Sequence, residues 1–235
     1  MKRRLRSALC LLLCLLALTP AARAASAFKP KNALEGKRQA LELLAVSGFQ
    51  SEYGKGEAGQ NLTRWQKPIR IWVGGTPTGK DLNELDSFLM QLSFRVPGLP
   101  AISRVKTEEE ANIRIYFVKY QNMPRYVQNF QSGSWGFFSY YENKGVIYKA
   151  DIAIARDKAS QNARYHILKE ELTGALGLPN DHLVYTDSIL YQKYTVTRQL
   201  SEVDWLMLNM LYSPVTRPGM TWSEAEDALI NWMGL

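Results

Sequence analysis

The chain has 235 residues, 46% of them hydrophobic and 22% charged, with two cysteines, two histidines and a formal net charge of +7. That length is ample for one hydrophobic core, and no stretch is long and apolar enough to cross a bilayer, which takes about 20 residues. Five of the 29 cationic residues are Lys2, Arg3, Arg4, Arg6 and Arg23; without them 24 meet 22 acidic residues, a balance near +2 that excludes a polyanion-binding footprint and with it a nucleic-acid partner.

The basic start leads into an apolar run from Ala8 to Leu18, then Pro20 and the small residues Ala22 and Ala24. Charged n-region, short h-region and Ala-x-Ala site read as a secretory signal peptide over residues 1–24, with Ala25-Ser26-Ala27 as a second cleavage site. The expected location is the periplasm or outside the cell. Cys10 and Cys14 each follow a leucine inside the apolar run, which fits no lipid anchor, and both leave with the signal. Disulfides, thiolate metal sites and cysteine catalysis are then excluded in the mature chain of about 210 residues.

Residues 25–63 read as a leading helix over Leu34–Val46, from the helical spacing of Ala40, Leu41, Leu43 and Leu44, followed by a flexible connector over Gly48–Gln60. Asn61-Leu62-Thr63 is a glycosylation sequon by pattern only. From Lys67 the period falls to two: Ile69, Ile71 and Val73 predict a strand ended by Gly74-Gly75. Asp81 is the expected N-cap of a helix carrying Leu82, Leu85, Leu89, Leu92 and Val96, stopped by Pro97-Gly98. A second strand alternates Ile113, Ile115 and Phe117 with Arg114, Tyr116 and Val118. The stretch 120–148 holds nine of the 26 aromatic residues among glycines and serines. It reads either as a loop presenting Trp135, Phe137, Phe138, Tyr140 and Tyr141 to a glycan or peptide, or as strand and core residues, to which aromatics are equally suited. A strand over Val146–Ala155, a long helix over Lys158–Leu176 and a shorter one over Ser201–Leu211 complete a mixed α/β (α+β) reading, with residues 64–235 as the main domain.

The segment Glu170-Glu171-Leu172-Thr173-Gly174-Ala175-Leu176-Gly177-Leu178-Pro179-Asn180-Asp181 carries the argument. It resembles the metzincin pattern H-E-x-x-H-x-x-G-x-x-H in its glutamate, its glycine and its spacing, while Glu170, Gly174 and Asn180 stand where the three zinc-binding histidines belong. The resemblance implies a zincin-like mixed twisted sheet with a long active-site-type helix and a closing C-terminal helix. It also implies that the zinc is lost, because histidines at i and i+4 must offer two imidazoles from one helix face and Gly174 offers nothing. Glu171 occupies the general-base position, which needs a metal-bound water. Its alternative reading is a helix carboxylate paired with a neighbouring base such as Lys169 or Arg164, or capping nearby backbone. A displaced metal set of His166, Glu170, Asp181 and His182 matches no established ligand spacing, and no cofactor is expected. No G-x-S-x-G nucleophile elbow is present.

At family level, the same segment with Asp187-Ser188-Ile189, Leu211-Tyr212-Ser213-Pro214 and Pro218-Gly219-Met220 resembles the bacterial domain of unknown function 2927 family, over roughly residues 64–221. That resemblance implies an exported protein and no particular activity. Two functions follow as expectations. One is an inactive metzincin-like module binding a peptide, glycan or envelope protein. The other is a cell-envelope hydrolase using Glu170, Glu171 and Asp181, with or without a non-zinc metal, although adjacent helix residues diverge by about 100° and make a poor flanking pair.

Overall fold

The computed structural model describes residues 25–49, 61–193, 195 and 197–235; the expected signal peptide and most of the expected connector lie outside them. In chain order the elements are α1 (Ala33–Phe49), β1 (Arg64–Trp65), β2 (Ile69–Gly75), α2 (Gly79–Arg95), β3 (Ile102–Arg104), β4 (Ile113–Val118), a 3-10 turn (Tyr120–Arg125), β5 (Gly136–Asn143), β6 (Val146–Ala155), α3 (Gln161–Ala175), α4 (Glu202–Leu211) and α5 (Trp222–Met233). The strands form one mixed six-stranded sheet. β3, β2, β4 and β6 lie side by side in parallel, β1 pairs in parallel with the first two residues of β6, and β5 runs antiparallel to β6.

The alternation read from the sequence sets the two faces. Ile71, Ile113, Ile115, Phe117, Ile152 and Ile154 enter the main core, where α2 and α3 cover the sheet; Tyr116, Val118, Ala153 and Ala155 point the other way, onto a smaller cluster with Met123 and Val127. A parallel strand buried on both sides is apolar at nearly every position, and β6 follows that rule from Ala150 to Ala155. Helix α1 contributes Ala40, Leu41, Leu43 and Leu44 to the same main core and lies against α4 and α5.

One helix start differs from expectation. Thr78, not Asp81, is the N-cap of α2, and Asp81 is the third helical residue of a capping box: the Thr78 amide donates to Asp81 Oδ2 at 2.8 Å while Asp81 N–H donates to Thr78 Oγ1 at 3.2 Å. The other carboxylate oxygen of Asp81 accepts from Arg164 Nε at 3.0 Å and Gln161 Nε2 at 2.6 Å, tying α2 to the first turn of α3. The hairpin β5–β6 settles the aromatic stretch: Phe138 and Tyr140 pack toward the main core, and Phe137 joins the smaller cluster on the opposite face.

A cleft between helix α3 and the edge strand

Helix α3 starts at Ser160, whose hydroxyl accepts from Ala163 N–H at 3.3 Å, and its residues divide by face. Leu168, Leu172 and Ala175 go into the core. Arg164 and Lys169 face α2, where Arg164 pairs with Asp81 and the fully buried Lys169 donates to Glu84 and to the Arg198 carbonyl. Both cations are engaged on the side of the helix that faces α2. The remaining face presents His166, Glu170, Glu171 and Gly174 to a two-lobed cleft beside β5.

One lobe, a cavity of about 370 Å³, is walled by Phe138, Tyr140, Gly174, Leu178, Pro179 and Leu190. The other, about 750 Å³, has Trp135, Tyr191, His166, Lys193 and Arg198 on its walls. Ser134, Gly136, Glu170, Glu171 and Asp181 border both. The three candidate carboxylates therefore converge on the partition of one open groove. Helix and strand approach closely there: a Cβ on Gly136 would lie 2.2 Å from Ile167 Cγ2 and 2.4 Å from Glu171 Oε1, so only glycine lets β5 start at this point.

His166 sits in the larger lobe with an acceptor at each ring nitrogen. Nδ1–H donates to the Thr197 carbonyl at 2.6 Å, and Nε2 lies 3.4 Å from Glu170 Oε2. A neutral imidazole has one N–H and can serve only one of these, whereas the imidazolium serves both. Burial pulls the His166 pKa down, but Glu170, through its hydrogen bond and its charge, the Thr197 carbonyl and the charge of Asp181 outweigh it and hold the pKa above the ordinary value.

The donor set does not fit zinc. A Cβ at position 174 would fall 2.5 Å from Phe138 Cε1, so the space where a second imidazole would project is filled by the ring of an edge-strand phenylalanine. Asn180 is buried and its amide Nδ2 donates to the carbonyls of Val46 and Ser47, fastening the turn to α1. His182, proposed with His166, Glu170 and Asp181 as a displaced set, turns away from the cleft: its Nδ1 accepts from Val184 N–H at 3.2 Å and its Nε2–H donates to Ser188 Oγ at 3.0 Å. Among the described residues no group of three or more His, Cys, Asp or Glu is placed to hold a metal ion.

The aromatic candidates split. Trp135, 44% exposed, stands in the larger lobe. Tyr140 stacks on Phe138 and shares a 3.2 Å hydrogen bond with Thr63 Oγ1, at the rim of the smaller lobe. Phe137 packs edge-on against Phe130 and only borders that lobe. Tyr141 is not in the cleft; it lies by Tyr148 and under the Lys149 ammonium. Sequence reasoning missed Arg198, Lys193 and Tyr191, which come from an irregular segment without periodicity. The position of Phe138 over Gly174 was also missed, because it depends on how β5 is set against α3.

The family-signature residues outside the cleft have structural work. Asp187 accepts from the Phe28 amide at 2.8 Å and so anchors the first described residues. Ser188 receives the His182 hydrogen bond and passes its own proton to Asp204 Oδ1, while Asp204 Oδ2 accepts from the Ile189 amide at 3.0 Å and the Ser201 amide at 2.7 Å. This order, histidine to serine to carboxylate, puts the hydroxyl in the middle and leaves it fully buried, so it is no nucleophile triad. Tyr212 donates from its hydroxyl to the Leu176 carbonyl at 2.7 Å at the end of α3, and Arg64 donates to the Leu211 carbonyl at 2.9 Å at the end of α4.

No helix among the described residues is long and apolar enough to cross a membrane. No curated protein matches the chain. The family described as protein of unknown function (DUF2927) matches residues 44–231, a span that runs from within α1 into α5 and contains the whole sheet and both lobes of the cleft. The chain belongs to the DUF2927 family.

Proposed function

We propose that this is an exported domain, built on a metzincin-like plan without its zinc chemistry, that binds an extended peptide or similar envelope polymer in the cleft beside β5. The observation that carries the reading is the Phe138 ring lying over Gly174, where the zinc-protease pattern needs a ligand, while the groove along the strand remains open. Among the described residues β5 pairs only with β6, which leaves its outer side without a strand partner. An extended chain added to such an edge gains main-chain hydrogen bonds, with pockets on either side to select side chains. The basic n-region, the apolar run and Ala22-x-Ala24 support export.

A second reading, a hydrolase of envelope polymers using carboxylates, is favoured by the convergence of Glu170, Glu171 and Asp181 on the cleft partition. Weighing against it, Glu170 is engaged with His166 Nε2 at 3.4 Å, and Glu171, its neighbour on α3, leaves the helix about 100° away. One experiment separates the two. A defined decapeptide mixture is passed over the immobilised protein, and bound and unbound fractions are read by mass spectrometry, with Ser134→Trp as a variant that blocks the groove. Binding predicts intact peptides retained by the parent and lost by Ser134→Trp. Discrete cleavage products that vanish in Glu171→Gln would establish the hydrolase instead, and no retention would remove the peptide-binding reading.

A further inference from the structure

The sheet ends on two unlike edges. β3 is three residues long and carries Arg104, ion-paired with Asp86. β5 runs for eight residues, holds no proline and no charge before Glu142, and has its register shift late, between Tyr141 and Glu142. Edge strands are ordinarily blunted by shortness, charge, proline or a bulge, and residues 136–141 carry none of these. The ladder to β6 fixes which main-chain groups of β5 point outward. Gly136 lies opposite Ile154, and the Ala155 amide donates to the Trp135 carbonyl at 2.7 Å. Antiparallel strands bond through every second facing pair, so Phe137, Ser139 and Tyr141 bond to β6, while the N–H and C=O of Gly136, Phe138 and Tyr140 turn to the open side. Phe138 and Tyr140 are also the residues whose rings wall the smaller lobe.

The groove along this edge is walled on both sides. Gln128, Asn129 and Gln131 stand on the sheet face of the smaller cluster, where the Gln128 amide donates to Ser139 Oγ at 3.3 Å and Phe130 meets Phe137. Helix α3 and Pro179 stand on the other. A slot flanked in this way admits one extended chain and excludes the edge of a second folded copy. Resting on the peptide-binding reading above, we infer that the occupant is an antiparallel peptide strand held by the main chain of Gly136, Phe138 and Tyr140, with large apolar side chains at positions i and i+2 seated in the smaller lobe. Facing residues of an antiparallel pair put their side chains on one face of the sheet. The ligand residues opposite Phe138 and Tyr140 are about 6.6–6.8 Å apart and reach the lobe of about 370 Å³ walled by Phe138, Tyr140, Pro179 and Leu190. The residue between them, opposite Ser139, points to the side of Gln128 and Gln131.

The test uses labelled heptapeptides of the form Ala-Ser-X-Ser-X-Ser-Ala, with X phenylalanine, serine or lysine, and reads affinity by fluorescence anisotropy. The phenylalanine peptide is expected to bind about tenfold more tightly than the serine peptide, a difference that corresponds to about 1.4 kcal/mol. N-methylation of either phenylalanine removes an N–H aimed at β5 and should weaken binding about tenfold, whereas N-methylation of the serine between them should leave it unchanged. Tyr140→Ser should lose the preference for phenylalanine and keep the alternation. Tighter binding of the lysine peptide would overturn apolar selection, and equal effects of N-methylation at all three residues would overturn the assigned main-chain contacts, each leaving peptide binding intact. No binding of any peptide would overturn this inference together with the function it rests on. A dimer in sedimentation velocity that Tyr140→Pro dissolves would give the edge to a second copy and overturn it as well.

Discussion

Two histidines in one chain occupy opposite electrostatic situations, and each is explained by its immediate neighbours. His166 faces a carbonyl and a carboxylate, both acceptors, so the protonated ring is favoured. His182 accepts an amide hydrogen bond on Nδ1, which requires a bare nitrogen, and burial pushes its pKa down to about 4, against a smaller opposing pull from Asp187. A proton NMR titration of the imidazole resonances should therefore show one histidine titrating above 6.5 and the other near 4, with His166→Gln removing the higher one. Two coincident titrations near 6.5 would contradict the hydrogen-bond assignments. Sequence alone could not distinguish the two rings, because His182 follows Asp181 directly and looked equally available to the cleft. What separates them is contact: the His182 ring is held by the Val184 amide and the Ser188 hydroxyl, away from the lobes that Asp181 borders.

At the scale of elements, the cleft depends on how α3 is held, and its grip on α2 is polar. Lys169 has no exposed surface, and its ammonium is satisfied by Glu84 and the Arg198 carbonyl. Lys169→Met should destabilise the protein by about 3 kcal/mol in urea unfolding, since removing one partner of a buried pair leaves the other group uncompensated. Lys169→Met combined with Glu84→Leu should cost less than the sum of the two single changes, whereas strict additivity would show that the pair contributes nothing. The elements read from periodicity, α1, β2, α2, β4, β6, α3 and α4, carry either an apolar helix face or a run of strand residues long enough to show its period. β5 stood only as one of two alternatives because Phe137, Phe138, Tyr140 and Tyr141 put aromatic rings on both of its faces, leaving no alternation to read. β1 and β3 are two and three residues long, too short for a period. Helix α5 was unread despite its capping box of Thr221 and Glu224, a local signal that resembles many surface turns until a helix is seen to follow it. Of the candidates that line the cleft, Glu170, Glu171 and Asp181 were named from the motif, His166 from its place on the helix and Trp135 from the aromatic stretch. The filling of the space above Gly174 was not, since it is a contact between a strand and a helix, Phe138 on β5 and Gly174 on α3, whose mutual placement no local pattern records.

For the whole molecule the two histidines act in opposite directions on stability. His166, with its folded pKa raised, contributes stability that is fully present below pH 6.5 and lost as pH rises through the folded value. His182, with its folded pKa lowered to about 4, costs nothing above pH 6.5, but as pH falls from there toward 4 the unfolded chain takes up a proton that the folded chain refuses. At about 1.4 kcal/mol per unit, that loss is on the order of 3 kcal/mol. Urea midpoints measured across pH should pass through a maximum near 6.5, and His166→Gln should flatten the alkaline limb while leaving the acid limb in place. A profile that rises steadily to pH 9 in the parent would count against the assignment.

The seating of the chain's early residues has a temporal consequence. Phe28 hydrogen-bonds to Asp187, Leu62 N–H donates to the Met220 carbonyl, and Arg64 clamps the carbonyls of Leu211 and Ser213. Each of these contacts joins residues about 150 positions apart, so a ribosome delivers the first partner long before the second exists. Closing such long loops is slow relative to local structure. None of these clasps can close before its partner in the stretch from Asp187 to Met220 has been made.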